Sequence, residues 1–280
     1  MNVSLSILKT CLKLAWQGWP IQMPSILCSV IVIAWLVPFG VKETLAQEAG
    51  QQVLAYKCRR VDAPIRIDGL LNEKAWERAA VMERFYLPGS HESPQHKTEV
   101  RMLWDDDNLY VGFVAYDDDI CAWGKERDDN IFEGDVVEVF IKPSHHKADY
   151  YELNVNPENI LYDAYYAYGQ GGQTRFAKWN GTVVTAVNRF GTLDEWHDTD
   201  EKWQVEFRIP FHTLPSLKGV LPKTGNSWSY HVARYNYSVY LETRDPAGNI
   251  SSRKGREIMS NVRLLGFHEL DSYARLEFVR

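Results

Sequence analysis

Residues 100–115 read VRMLWDDDNLYVGFVA and residues 135–141 read DVVEVFI, and these two stretches indicate the fold class most clearly. In the first stretch, apolar side chains recur at every second position on either side of an acidic tetrapeptide of turn formers, which predicts a β-hairpin. In the second stretch, Glu138 lies among the apolar residues of a strand, where a carboxylate needs a partner or a ligand. Together they predict an all-β domain that binds a ligand on its sheet.

The beginning of the chain has the composition of a secretory signal. Residues 26–41 are apolar almost throughout and follow a segment with two lysines and no acid. Small side chains at Thr44 and Ala46 suit a signal peptidase. We therefore expect residues 1–46 to be removed, which leaves a secreted, periplasmic or cell-surface chain of residues 47–280. The alternative is an uncleaved membrane anchor, because the apolar stretch approaches the roughly 20 residues that span a bilayer.

Composition restricts the class of the expected mature chain, residues 47–280. It is long enough for a complete core, and we expect one domain. The full sequence has 10 Trp, 15 Tyr and 11 Phe, most of them within residues 47–280, and they suit strand packing and stacking on ligands. The formal net charge of the full sequence, −6, argues against a nucleic-acid partner, which needs a clustered basic surface. Cys58 and Cys121 are the cysteines left after the signal, so a disulfide is permitted but not demanded.

Short strand patterns separated by turns continue along the chain, with hardly any helical period. Further strands are predicted in residues 65–67, 150–156, 160–168, 176–187, 203–211, 227–237 and 271–280. One short helix is predicted in residues 72–79, with Trp76 as its buried anchor. Strands at this spacing without intervening helices predict an antiparallel β-sandwich of the immunoglobulin or jelly-roll kind.

An ordered set of short motifs resembles the family 9 carbohydrate-binding modules and the wider group of DOMON-like β-sandwiches. The motifs are Ile67-Asp68-Gly69 followed by Trp76, the hairpin of residues 104–111, residues 135–140, Asn154-Val155-Asn156-Pro157, residues 203–206 with 209–211, and Phe267-His268. They cover nearly all of the expected mature chain. The resemblance implies a non-catalytic sandwich that binds sugars, often with structural calcium, and that is attached to or secreted alongside polysaccharide-degrading enzymes.

The resemblance also implies a set of site residues. Sugar-binding members hold a terminal ring between two aromatic side chains, while an acid, an arginine and amides bond its hydroxyls. By position, Phe132 stands for the first aromatic residue, Glu138 for the acid and Phe267 for the second aromatic residue. Asn154 stands where the family often has its arginine. Phenylalanine lacks the broad indole face and Asn154 removes a charged donor, so the resemblance does not imply which sugar is bound.

The residues themselves suggest one more member of this site. Sugar recognition needs an apolar plate and convergent polar groups, and Arg234 lies on a strand that can reach the sheet face of Glu138 and Asn154. The predicted site is therefore Phe132, Glu138, Asn154, Arg234 and Phe267. A structural interpretation stays open, in which Glu138 is a buried acid paired with Arg234 or a tyrosine and the two phenylalanines belong to the core.

Acidic turns are candidates for calcium, which takes about six to eight oxygen ligands. The candidate ligands are Asp105, Asp107, Asp117 and Asp119. Such turns at strand ends are equally explained as solvated turn formers.

Two alternatives from other functional classes complete the predictions. Glycosidases need two carboxylates at a defined separation, for which Glu138, Glu152 and Glu206 are the available residues, but we expect no catalysis because the binding-module pattern explains all three. Some DOMON-like sandwiches hold haem between a methionine and a histidine, which makes them electron carriers. The candidate ligands are Met102, Met259, His231 and His268.

Overall fold

The structure is a computed structural model that describes residues 54–169, 172–176, 179–238, 243–244, 250–252, 255–264 and 266–280. The signal predicted for residues 1–46 lies outside the described residues. Within these ranges, no helix is both long enough and apolar enough to cross a membrane.

The described residues are mostly β-strands. The strands are β1 (Ala55–Arg60), β2 (Thr98–Trp104), β3 (Asn108–Tyr116), β4 (Val136–Lys142), β5 (Tyr150–Val155), β6 (Leu161–Gly169), β7 (Gly172–Phe176), β8 (Val184–Phe190), β9 (Lys202–Pro210), β10 (Ser227–Ser238), β11 (Thr243–Arg244), β12 (Ile250–Ser252), β13 (Gly255–Ser260) and β14 (Ala274–Val279). One α-helical turn, α1 (Lys74–Glu77), and short 3₁₀ turns join them, among which Ile131–Glu133 precedes β4. The prediction of an all-β domain with one short helix is confirmed.

One large sheet contains all the strands except β11 and β12, which pair with each other. Its order is β7-β6-β5-β4-β10-β14-β1-β2-β3-β9-β8, with β13 also paired to β10. The sheet curls into a half-barrel. Its strands are antiparallel except that β1 runs parallel to both of its neighbours, β14 and β2. The prediction of a wholly antiparallel sheet was therefore wrong at β1, because the first strand enters between two strands of its own direction.

The core lies between the two halves of this curled sheet. Val139 of β4 and Leu153 of β5 belong to the same buried cluster as Phe113 of β3 and Phe207 of β9. These residues lie on one face of their strands because side chains alternate along a strand. The opposite face of β4, β5, β6 and β10 is thereby free to carry polar groups.

The hairpin predicted from residues 100–115 forms as β2 and β3. Met102 is paired with Val111 and Trp104 with Leu109, so the apolar positions are in register. Asp105 closes the turn, since its Oδ1 accepts hydrogen bonds from the backbone N–H groups of residues 107 and 108 at 2.8 and 2.7 Å. The acidic tetrapeptide thus has a local structural role.

Helix α1 is attached to the sheet through Glu206 of β9. Oε1 of Glu206 accepts a hydrogen bond from Nε1 of Trp76 at 2.9 Å, and its Oε2 accepts bonds from the backbone N–H groups of Asp68 and Gly69, each at 2.9 Å. Gly69 has φ +84°, and a Cβ there would lie 2.7 Å from the carbonyl carbon of Val187. Glu206 therefore holds the scaffold and lies on a different strand from Glu138 and Glu152.

The two cysteines of the described chain are free thiols. Cys58 is fully buried on β1, whereas Cys121 follows β3 and is partly buried. Burial raises the pKa of both thiols above the ordinary value. The disulfide that the sequence permits is not formed in this structure.

Candidate functional site

Three polar side chains form a row across the outer face of β4, β5 and β6. Glu138 is paired in register with Asn154, and Asn154 with Tyr162. The neighbours of Glu138 along β4, Val137 and Val139, belong to the core cluster on the other face. The three members of the row are nonetheless only 3, 1 and 5% exposed, so other parts of the chain cover them. We call these three residues the polar row.

Each member of the polar row has a buried polar atom without a hydrogen-bond partner among the described residues. The atoms are Oε2 of Glu138, Oδ1 of Asn154 and the hydroxyl oxygen of Tyr162. Folded proteins pair the great majority of such atoms, since each unpaired one costs about 1–3 kcal/mol. Three unpaired atoms on adjacent strands make this face the candidate for a ligand site.

Glu152 of β5 fixes the orientation of the polar row. Its Oε1 accepts a hydrogen bond from Nδ2 of Asn154 at 2.9 Å, and its Oε2 accepts one from the Tyr166 hydroxyl at 2.8 Å. The Asn154 amide is thereby held with its Nδ2 on Glu152 and its Oδ1 without a partner among the described residues. Burial raises the pKa of Glu138 well above its ordinary value, and the nearby charge of Glu152 raises it further. The resulting neutral carboxyl can both donate and accept a hydrogen bond.

The polar row borders a cavity of about 430 Å³, which we call the polar-row cavity. This volume falls within the roughly 300–1,000 Å³ of small-molecule sites. Glu138, Glu152 and Tyr162 line the cavity, and Asn154 lies in the row between Glu138 and Tyr162. Its aromatic walls are formed by Phe132, Phe140, Tyr162, Tyr166, Tyr235 and Phe267. Apolar walls around a few convergent polar groups are the usual composition of a binding site.

The structure brings four of the five predicted site residues together. Phe132, Glu138 and Phe267 line the polar-row cavity, and Asn154 belongs to the row itself. Phe132 projects from the 3₁₀ turn before β4 and is exposed. Phe267 is partly buried and packs edge-to-face against Phe140, with ring centroids 6.0 Å apart. Their role in binding a ligand stays a prediction.

Arg234 is not part of the cavity, contrary to the prediction. It is fully buried, and its Nη2 donates hydrogen bonds to Oδ2 of Asp117 at 2.7 Å and to Oδ1 of Asn236 at 2.6 Å. Its neighbour on β10, Tyr235, does line the cavity. A step of one residue along a strand reverses the face, which places Arg234 on the opposite side from Glu138. The proposed pairing of Glu138 with Arg234 is excluded for the same reason.

Arg175 is a cavity residue that sequence reasoning missed. It lies on β7, lines the cavity and places its guanidinium over the ring of Tyr162, 5.2 Å from the ring centroid. The hairpin of β6 and β7 brings it there by pairing it with Tyr166. The tyrosine-rich strand before it was the available signal, but the register of this hairpin was not predictable from the loop sequence. Arg175 supplies a cationic donor that Asn154 lacks.

The structure does not bring the four predicted calcium ligands together in one group. Asp105 and Asp107 lie before β3 and Asp117 and Asp119 lie after it, which separates the two pairs by roughly 30 Å along the strand. Asp105 is used by the turn, and Asp117 is paired with Arg234. Among the described residues, no group of three or more His, Cys, Asp or Glu is placed to hold a metal ion.

The candidate haem ligands lie on opposite faces of the sheet. Met102 is fully buried in the core, and Met259 is paired with Arg234 and shares its face. His231 lies three residues from Arg234 on β10 and so faces the other way, and His268 lines the polar-row cavity. Burial lowers the pKa of His231 to about 3, which keeps the ring neutral. A methionine and a histidine on opposite faces cannot ligate one iron.

Comparisons with known proteins identify a family and similar folds. A family model described as carbohydrate family 9 binding domain-like matches residues 67–236. Among curated proteins, endo-1,4-beta-xylanase A of Thermotoga neapolitana is 29% identical over 133 residues, which are 45% of this chain. The matched region spans only 12% of that xylanase.

Two solved structures share the fold. A family 9 carbohydrate binding module from Caldicellulosiruptor kristjanssonii in complex with cellotriose is 15% identical with a TM-score of 0.50, covering 80% of this chain and 93% of that one. A putative carbohydrate-binding protein from Bacteroides uniformis is 12% identical with a TM-score of 0.57, covering 81% and 99%. At these identities the likeness concerns the fold alone.

Proposed function

Because the chain belongs to the carbohydrate family 9 binding domain-like family, we propose that it binds carbohydrate, without cleaving it, in the polar-row cavity. The observation that carries this proposal is the row of three unpaired buried polar atoms on Glu138, Asn154 and Tyr162. Sugar hydroxyls both donate and accept hydrogen bonds, so a sugar in the cavity can supply partners to the lining members Glu138 and Tyr162. The unpaired atoms then gain the partners that they lack in the free protein.

The aromatic walls supply the second half of this recognition. Phe132 offers an exposed ring and Phe267 a partly buried one, suited to the apolar C–H face of a sugar. Arg175 at the wall adds a charged donor that can reach a ring oxygen or a hydroxyl. In this arrangement the phenylalanine rings stack on the sugar ring and the polar row forms hydrogen bonds with its hydroxyls. Arg175 determines the orientation of the sugar in the cavity. The family 9 structure determined with cellotriose makes β-1,4-linked glucose residues the first ligands to test.

The location of the protein, its accessory role and its finer fold are also proposals. We infer that residues 1–46 are removed as a secretory signal and that the module acts outside the cytoplasm alongside polysaccharide-degrading enzymes. The partial likeness to a xylanase supports the second statement. Sequencing of the mature N-terminus tests the first, because a start at residue 47 is expected and an intact leader contradicts it. The two halves of the curled sheet, which enclose one core, support a DOMON-like or jelly-roll-like sandwich as the finer fold.

The binding proposal is tested with a glycan array followed by titration calorimetry. Phe132→Ala and Glu138→Leu are expected to weaken binding of the sugar found by about tenfold or more, because one removes the stacking plate and the other a member of the polar row. Val220→Ala and Glu158→Gln are the matched controls, since both residues are exposed and neither lines the cavity. Unchanged affinity in the first two variants would remove those residues from the site. A wild type that binds no glycan would refute the function.

A further inference from the structure

We propose that a second cavity, lined by Trp123 and Trp196, binds further residues of a sugar chain whose first residue occupies the polar-row cavity. We call it the tryptophan cavity, and its volume is about 570 Å³. The inference rests on the proposed function and extends it from a single sugar residue to a neutral oligosaccharide.

The two tryptophans present their indole rings to solvent. Trp123 is 59% exposed and Trp196 is 55% exposed, and both line the same cavity together with Tyr237. Exposed aromatic surface of this size is costly unless it meets another molecule. Flat rings at the wall of a cavity are suited to stack on the C–H faces of sugars.

Trp123 and Trp196 are held close together by the backbone that carries them. The N–H of Ala122 donates a hydrogen bond to Oδ1 of Asp194 at 3.0 Å, and the N–H of Asp194 donates one to the carbonyl of Ile120 at 2.9 Å. These two bonds join the segment before Trp123 to the loop that carries Trp196. The backbone segments that carry the two rings are therefore joined before any ligand arrives, which lowers the entropic cost of bringing them together.

Two other parts of the chain also contact the backbone of Trp123. Nδ2 of Asn156 donates a hydrogen bond to its carbonyl oxygen at 2.9 Å. Gly134 approaches so closely that a Cβ there would lie 2.7 Å from the backbone nitrogen of Trp123. This close approach requires glycine at 134 and seats the tryptophan backbone against the turn that carries Phe132.

The two cavities share a wall. Phe132 lines the polar-row cavity and the next residue, Glu133, lines the tryptophan cavity. On β10, Tyr235 lines the polar-row cavity and Tyr237 lines the tryptophan cavity. The two residues lie roughly 7 Å apart along the strand. The Tyr237 hydroxyl donates a hydrogen bond to the Phe132 carbonyl at 2.9 Å and closes this wall. A ligand that leaves the first cavity over Phe132 enters the second.

Charge indicates which sugar chains the tryptophan cavity accepts. Asp119, Glu133 and Asp194 line it, and Arg256 donates a hydrogen bond to the hydroxyl of the lining residue Tyr237 at 3.1 Å, so the carboxylates outnumber this cation three to one. A uronic acid would bring a further negative charge next to these carboxylates, which is unfavourable. Neutral residues avoid this repulsion and can donate hydroxyl hydrogens to the carboxylates.

The test compares sugars of increasing length by titration calorimetry. The probes are glucose, cellobiose and cellotriose, and the corresponding xylose and mannose series. In the series that binds, the trisaccharide is expected to bind about three- to tenfold more tightly than the monosaccharide. Trp123→Ala and Trp196→Ala are expected to abolish this gain and leave monosaccharide affinity unchanged, whereas the exposed control Val220→Ala retains both. The indole N–H resonances of Trp123 and Trp196 should shift with the trisaccharide only.

Three outcomes overturn the inference. Equal affinity for monosaccharide and trisaccharide in the wild type would show that no second subsite exists, while the proposed function would stand. Equal loss of affinity for both sugars in the tryptophan variants would show that they act on the first cavity. Absence of binding to every series would refute the function and the second subsite together.

Discussion

Glu138 and Asn154 lie directly opposite each other on β4 and β5, and each carries a buried oxygen that no described residue hydrogen-bonds. Paired side chains at such a position normally satisfy each other. Here Asn154 gives its Nδ2 to Glu152 instead, so both oxygens stay available on the same side of the sheet. Each unpaired buried oxygen lowers the stability of the free protein, and the proposed ligand would supply the missing partners.

Tyr162→Phe should raise the stability of the protein and lower its affinity for sugar. The substitution removes an unpaired buried hydroxyl and keeps the ring, so we expect the free energy of unfolding to rise by about 1 kcal/mol. Sugar affinity should fall by about fivefold or more, because the ligand loses one hydrogen bond. Urea denaturation and titration calorimetry measure the two effects. A variant that is less stable than the wild type would mean that the hydroxyl has a structural partner.

Arg175→Ala should weaken binding with little effect on stability. The side chain is exposed, so its removal leaves no buried group unpaired, but the ligand loses a charged donor. We expect affinity to fall by about tenfold and the melting temperature to stay within about 1 °C of the wild type. Arg66→Ala is the control, since Arg66 is also exposed and does not line the cavity. An unchanged affinity would remove Arg175 from the site.

Glu138 should make the free protein less stable as the pH rises. Its pKa in the folded state is raised by burial and by Glu152, so the folded protein holds this proton to higher pH than the unfolded chain does. The stability that this raised pKa contributes is fully present below pH 4.5, the ordinary pKa of the carboxyl group. It is lost as the pH rises through the pKa of Glu138 in the folded state. Glu138→Gln keeps a neutral group and should flatten that part of the curve. Chemical denaturation at a series of pH values from 4.5 upward measures the free energy of unfolding of the wild type and of Glu138→Gln. The same dependence on pH in both proteins would contradict this prediction.

Arg234→Met should destabilise the protein without changing the cavity. The substitution leaves Asp117 buried without its cation, and breaking such a pair costs about 3–5 kcal/mol. Arg66→Met is the exposed control and should be near neutral. Folded Arg234→Met protein should bind sugar as the wild type does. A loss of affinity in a variant of normal stability would return Arg234 to the site.

The sequence predicted the features that depend on local pattern. Alternation in residues 100–115 gave the β2–β3 hairpin in register, and the family motifs led to Phe132, Glu138 and Phe267 in one cavity. The hairpin prediction succeeded because strand period is a property of the chain itself, whereas the binding roles of the three cavity residues stay predictions. Glu138 was identifiable as a residue with a special role because an acid within an apolar strand is unusual.

The features that failed depend on how distant strands meet. Successive residues of β10 face opposite sides of the sheet, so a shift of one residue in register decides whether Arg234 or Tyr235 faces the cavity. The sequence did not specify this register. Arg175 enters the site through the register of an edge hairpin. The acidic turn at Asp105 was ambiguous from the sequence, because turn capping and calcium binding use the same carboxylates.

The insertion of β1 between β14 and β2 governs when this domain can fold. β1 is the first described strand and β14 the last, and their five registered residue pairs join positions more than 200 residues apart. The sheet therefore cannot close until β14 has been synthesised. Until then β1 lacks its partner of five residue pairs and presents an open edge, the kind of edge that can pair with other chains.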